Sequence, residues 1–110
     1  MIIEMNIEAA NLDAAEDLVK TMLPGGQLSV KTRVAVVTYE GPTGPVTSGV
    51  LVVRAVLPDV FTAFGYAYYF CQAFEQDCIA LYNPASQQGW LVGPNAAKWG
   101  KFDITYFKNF

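Results

Sequence analysis

Residues 28–57 read LSVKTRVAVVTYEGPTGPVTSGVLVVRAVL, and no other stretch restricts the fold as tightly. β-branched residues dominate it, and their stiffness at χ1 favours strand over helix. Leu28, Val30, Thr32, Val34 and Val36 alternate with Ser29, Lys31 and Arg33. This period of two predicts a strand over 28–40 with one apolar face. GVLVVRAVL (49–57) is nearly continuous in apolar character, as a central strand would be. The prolines and glycines of GPTGPVTS predict a loop at 41–48. Together these pieces make a long hairpin.

Helices are expected on both sides of this hairpin. In NLDAAEDLVKTML (11–23), Leu12, Ala15, Leu18, Val19 and Met22 form one apolar stripe at helical spacing. Asn11 or Asp13 can cap its start, and Asp13, Glu16 and Asp17 suit the positive end of the helix dipole. Pro24-Gly25-Gly26 ends it. The preceding IIEMNIEA alternates Ile3, Met5 and Ile7 with Glu4, Asn6 and Glu8, the pattern of a short strand. That strand is left out of the main element order. Pro58 and Asp59 mark the start of the second helix, whose core is FTAFGYAYYFCQAFEQDC (61–78). DCIALYN (77–83) and GWLVG (89–93) then form a second hairpin, with Asn83-Pro84 and Gly89 as turn signals. In the tail, Trp99, Phe102, Tyr106, Phe107 and Phe110 are too aromatic to dangle in water, so it is expected to pack back over the domain. The expectation is one α+β domain spanning 1–110, in the order α-β-β-α-β-β. It has a mainly antiparallel sheet with helices on one face.

Composition narrows the classes of function. The apolar share is 53% and the charged share 15%, against roughly 25% charged in an average soluble domain. This leaves apolar surface for a partner or a second copy to cover. No segment approaches the ~20 apolar residues that span a bilayer. The N-terminus carries acids and no bases, unlike a secretory or transit peptide, so the expected location is the cytoplasm. Glu4, Glu8, Asp13, Glu16 and Asp17 crowd one end, while Lys98, Lys101 and Lys108 face only Asp103 at the other. A net charge of −3 without a basic stripe argues against nucleic-acid binding.

Catalysis finds few candidates. The chain has no histidine, which excludes Ser-His-Asp and Cys-His arrangements and the commonest general base. Cys71 and Cys78 have no zinc-like spacing, so neither metal nor cofactor is expected. Cys71 falls on the apolar helix face and reads as an inert core thiol. GPTGP lacks the Lys-Ser/Thr ending of a phosphate loop and joins two strands. The chain therefore reads as non-enzymatic.

The second helix has more aromatic surface than one buried face needs. Val60, Ala63, Phe64, Ala67, Phe70, Cys71 and Phe74 fill an arc of about 120° at about 100° per residue. Phe61 and Tyr68 sit on one shoulder and Tyr66 on the other. Tyr69 lies nearly opposite, beside Thr62, Gly65 and Gln76. A mid-helix glycine costs about 1 kcal/mol relative to alanine, and close approach by another element would offset that. Either the chain's own tail covers this outer face, or a partner does. Partner binding is expected at Gly65, Tyr66 and Tyr69, with Tyr68, Trp90 and Trp99 as secondary contacts. The expected function is a small protein-binding module, self-associating as a homodimer or capturing another protein, with the acidic N-terminal face as a supplement. A host-system inhibitor encoded by a phage or mobile element has this size and composition. The alternative is a small-ligand protein or enzyme, with Glu75, Asp77, Tyr82 and Trp90 lining a pocket between helix and second hairpin.

Overall fold

The computed structural model describes residues 1–24 and 30–98. The elements are β1 (Ile2–Ile7), α1 (Leu12–Met22), β2 (Lys31–Gly41), β3 (Gly44–Val56), α2 (Val60–Ala73), β4 (Ile79–Asn83) and β5 (Gln88–Val92), followed by a 3-10 turn at Ala96–Lys98. The domain is α+β, as expected, but its order is β-α-β-β-α-β-β. The five-stranded sheet runs β2-β3-β1-β4-β5, antiparallel at every junction. The short N-terminal pattern left out of the expected order is therefore the middle strand. It joins the two hairpins, pairing Ile2–Ile7 with Leu51–Val56 on one side and Glu4–Asn6 with Ala80–Tyr82 on the other.

Alternation along β1 separates two faces. Ile3, Met5 and Ile7 enter the main core with Leu51, Val53 and Ala55 of β3, and with Ile79 and Leu81 of β4. Both helices lie on this face. α1 contributes Ala15 and Val19, and α2 contributes Ala63, Ala67, Phe70 and Cys71. Burying each large apolar side chain of this set stabilises the fold by roughly 1.5–3 kcal/mol. Val37, Val50, Val52 and Tyr82 cluster on the opposite face, with no helical residue among the described residues of that cluster. Glu4 is buried there, and its Oε1 accepts from Arg54 Nη2 at 2.6 Å and Nε at 2.9 Å across the β1–β3 pairing. Oε2 of Glu4 and Oδ1 of Asn6 are buried without a hydrogen-bond donor.

The first hairpin departs from expectation at its tip. The segment 41–48 is mostly strand: Gly41 pairs with Gly44, leaving Pro42 and Thr43 as the turn. Pro45 is accommodated because this part of β3 has a strand on one side only, and a missing N–H is tolerated there. The alternation in β2 is as expected, but the burial is not. Val34 and Val36 point to the helix side and remain exposed, Val36 at 76%, whereas Val37 on the other face is buried. The hairpin outreaches the helix layer. Leu12, in the first turn of α1, comes only as far as Gly49. Met22, expected in the α1 stripe, is exposed at the end of its helix. The aromatic tail from Trp99 onward lies outside the described residues.

Both helices use the expected caps. Asn11 Oδ1 accepts from the Ala14 N–H at 3.0 Å, and Asp59 Oδ1 accepts from the Thr62 N–H at 2.7 Å. The Thr62 N–H and hydroxyl hold the Asp59 carboxyl below its ordinary range. α2 ends in a Schellman turn, with the Gln76 N–H on the Cys71 carbonyl and Glu75 left-handed at φ 56°. Gly93, at φ 156°, lies against the β4 entry. A Cβ there would meet the Asp77 carbonyl oxygen at 2.5 Å and the Cys78 Cα at 2.7 Å.

These two positions respond oppositely to substitution. Glu75→Gly relieves a left-handed side chain and is expected to raise unfolding free energy by about 1 kcal/mol. Gly93→Ala forces backbone apart and is expected to lower it by about 1–3 kcal/mol; urea titration of both variants reads the sign. Arg54→Ala strands a buried carboxylate and is expected to cost about 3 kcal/mol. Equal stability of that variant and the parent in the same titration would show that the Arg54–Glu4 pair contributes nothing to the fold.

Candidate protein-contact surface

Over its 14 residues, VFTAFGYAYYFCQA, α2 carries no charged side chain. A helix on a protein surface ordinarily turns charged residues outward, so its outer face is unusual. Phe61 is 79% exposed, Tyr69 44% and Tyr68 42%, and Gly65 is open beside them. Phe61, Gly65 and Tyr69 are spaced i, i+4, i+8 and form a row along the axis, flanked by Tyr68 and Gln72. Nothing among the described residues lies within 4 Å of a Cβ built on Gly65. The glycine is therefore not required by the packing described, in contrast to Gly93.

Phe61 and Tyr69 are braced by rings beneath them, half-buried Phe64 and buried Phe70. Phe61 meets Phe64 edge-on at 6.3 Å, and Phe64 meets Trp90 edge-on at 5.4 Å. Tyr69 meets Phe70 edge-on at 5.8 Å, and Phe70 stacks with Tyr66 at 6.3 Å and Phe74 at 6.1 Å. Edge-on and offset arrangements suit the ring quadrupoles and limit rotamer freedom, which lowers the entropic cost of presenting the rings. The outer row is a continuation of the core, not a set of loose side chains.

Of the residues expected at a contact, Gly65, Tyr68 and Tyr69 share the outer face. Tyr66 is half-buried on the flank, against Phe70. Trp90 lies under the helix on β5, half-buried against the core and in contact with Phe64. Trp99 lies outside the described residues. Phe61, not among the expected contacts, stands in the same row, four positions before Gly65 and eight before Tyr69, and is 79% exposed.

The alternative pocket residues do not converge. Trp90 pairs with Leu81 on the helix side of the sheet, while Tyr82 belongs to the cluster on the other face. Glu75 instead borders a shallow depression of about 230 Å³ with Ala9, Ala10, Asn11, Ala14, Ala73 and Phe74. Its lining is mostly methyl groups and one ring, with a single carboxylate, and none of Asp77, Tyr82 or Trp90 contributes. Among the described residues no three Cys, Asp or Glu groups gather as a metal site. None of the described helices is long and apolar enough to cross a membrane.

The two thiols are free and poorly suited to chemistry. Burial pushes Cys71 up to about 12, with the charges of Cys78 and Asp77 adding to it, and its Sγ donates to the Val92 carbonyl at 3.2 Å. Burial likewise pushes Cys78 up to about 11, assisted by Asp77 and Glu8. Compared with protein-family models, with curated proteins and with solved structures, the chain finds no match.

Both thiols should be silent toward a disulfide reagent at pH 8 in the native protein and react fully in denaturant. Since folding raises both pKa values from an ordinary 9.0, their stabilising contribution is complete below pH 9. It is then lost as pH rises from there to about 12, because the unfolded chain ionises first. A native thiol that reacts at the unfolded rate would contradict this burial.

Proposed function

We propose that this chain is a small non-enzymatic protein-binding module that acts through the outer face of α2. One observation carries the reading: the uncharged row of Phe61, Gly65 and Tyr69, exposed yet braced from beneath. Aromatic side chains supply large contact area at low entropic cost and are enriched at the centres of protein interfaces. The row lacks any cation to meet phosphate, so a nucleic acid is a poor occupant. The homogeneity of the face also favours a protein over a small polar ligand, which needs convergent polar groups in a concavity. The idea of an inhibitor acting on a host system rests on size and composition, and the geometry adds nothing to it.

The test is a surface change that spares the fold. Phe61→Ser with Tyr69→Ser should leave the thermal transition within a few degrees of the parent, since Phe61 is 79% exposed and Tyr69 44%. The same pair should abolish association, whether measured as self-association or as capture of a protein retained by the parent. Association unchanged in the double variant would remove α2 as the contact face. A collapsed thermal transition would instead show the rings to be structural.

A further inference from the structure

We infer that the C-terminal segment, residues 99–110, docks on the sheet face opposite the helices and forms its outer layer. Register places Tyr82, Glu4 and Arg54 on that face in one row, and Ala80, Asn6 and Val52 in the next. Val52 is 0% exposed, Val50 1% and Tyr82 7%. Neighbours within the sheet do not account for this. Tyr82 has Gly89 on one side, Glu4 on the other and Ala80 two positions along its strand, too little volume to enclose a phenol ring. Oε2 of Glu4 and Oδ1 of Asn6 are closed to water as well. Where the same sheet lacks a cover its apolar residues show it: Val34 and Val36 on the helix side, and Ile2 and Val56 at the end of the far side, are all exposed. The cover thus spans the Glu4 row to Val37 and stops short of Ile2 and Val56.

These burials are those of the single chain, so the cover is part of the same polypeptide. Both helices pack on the other face. Outside the described residues, 25–29 reads GGQLS and joins Leu23 to Val30, both buried in the helix-side core. That segment has one apolar side chain and is tied at both ends to the helix side. The segment 99–110 carries Trp99, Phe102, Tyr106, Phe107 and Phe110, the apolar area such a layer needs. It continues from Lys98, just past the edge strand β5. From β5 to β3 is three strand spacings, about 15 Å, and at roughly 3.3 Å per residue the segment reaches about 40 Å. The outer row of α2 stays exposed in the same chain, so the tail's rings are not spent there. This inference is independent of the reading of α2 as a contact face, and it leaves that face open to a partner.

Two measurements on the full chain test the docking. The first reads thiol accessibility at Ala80→Cys on the far face and at Gly65→Cys on α2, with the parent as background. With the native tail, the thiol at position 80 should react about tenfold or more slowly than the one at position 65. Adding Phe102→Ser, Tyr106→Ser, Phe107→Ser and Phe110→Ser together should speed the reaction at position 80 by about tenfold and leave position 65 unchanged. The second measurement places p-benzoylphenylalanine at position 107 and maps the photoproducts by mass spectrometry. Links within one chain to β1, β3 or β4 are expected. Far-UV circular dichroism reports whether each variant folds.

Equal reaction at positions 80 and 65 with the native tail overturns the inference, because the far face is then open. Protection at position 65 that the serine changes release, or photoproducts on α2, places the tail over the helix and overturns it too. Photoproducts that join two chains, with none inside one, make the cover a second copy and not the tail. If the serine changes unfold the chain, the native-tail rates and the photoproducts decide by themselves. Loss of partner capture on Phe61→Ser with Tyr69→Ser reports on α2 alone, so the two readings stand or fall separately.

Discussion

The insertion of β1 between β3 and β4 is the pairing on which the rest of the domain depends. Each hairpin is local and forms through its own turn, but neither buries its apolar face alone. β1 bonds to both, and every residue from Ile3 to Ile7 is buried as a result. Its odd positions anchor the core beneath the helices, while Glu4 on its reverse side ties it to Arg54, 50 residues away. Joining parts so distant in sequence costs loop entropy before contacts compensate. The middle strand is therefore where the cooperativity of the fold resides.

The position of α2 follows from that sheet. The helix lies over β4, β1 and β5, and its small residues Ala63 and Ala67 let Phe70 and Cys71 sink into the core. One arc is thereby consumed. The remaining aromatics have nowhere to go but outward or along the rim, where Phe64 and Trp90 connect them to the interior. Gly65 and Gly93 show two unlike uses of the same residue. At Gly93 the β4 backbone leaves no room for a Cβ, whereas at Gly65 there is open space. The first is a demand of the fold, and the second gives the outer face its notch.

The same packing bears on the two thiols. Cys71 is buried and Cys78 half-buried, both thiols are raised, and the carboxylates near them at Asp77 and Glu8 push in the direction of protonation. At the start of α1, Asn11 supplies the cap and Asp13 complements the helix dipole. The exposed large apolar side chains of the described residues include Phe61, Tyr68 and Tyr69 of α2, and Val34 and Val36 where the first hairpin outreaches the helices.

Much of this was legible in the residues. Both helices, their caps at Asn11 and Asp59, the second hairpin and the buried arc of α2 follow from local rules, since capping, turn chemistry and periodicity involve residues a few positions apart. The outward placement of Gly65 and Tyr69 followed from the same periodicity. Three matters were not local. The six residues of β1 show alternation but not rank, because a strand becomes central only through partners far along the chain. GPTGPVTS reads as a loop by composition, yet pairing with β2 draws most of it into strand. Phe61 and Val36 carry the same apolar signal as their buried neighbours, and only the edge of the opposing layer decides that they are left uncovered. Period and caps are properties of the chain, whereas burial belongs to whatever packs against it.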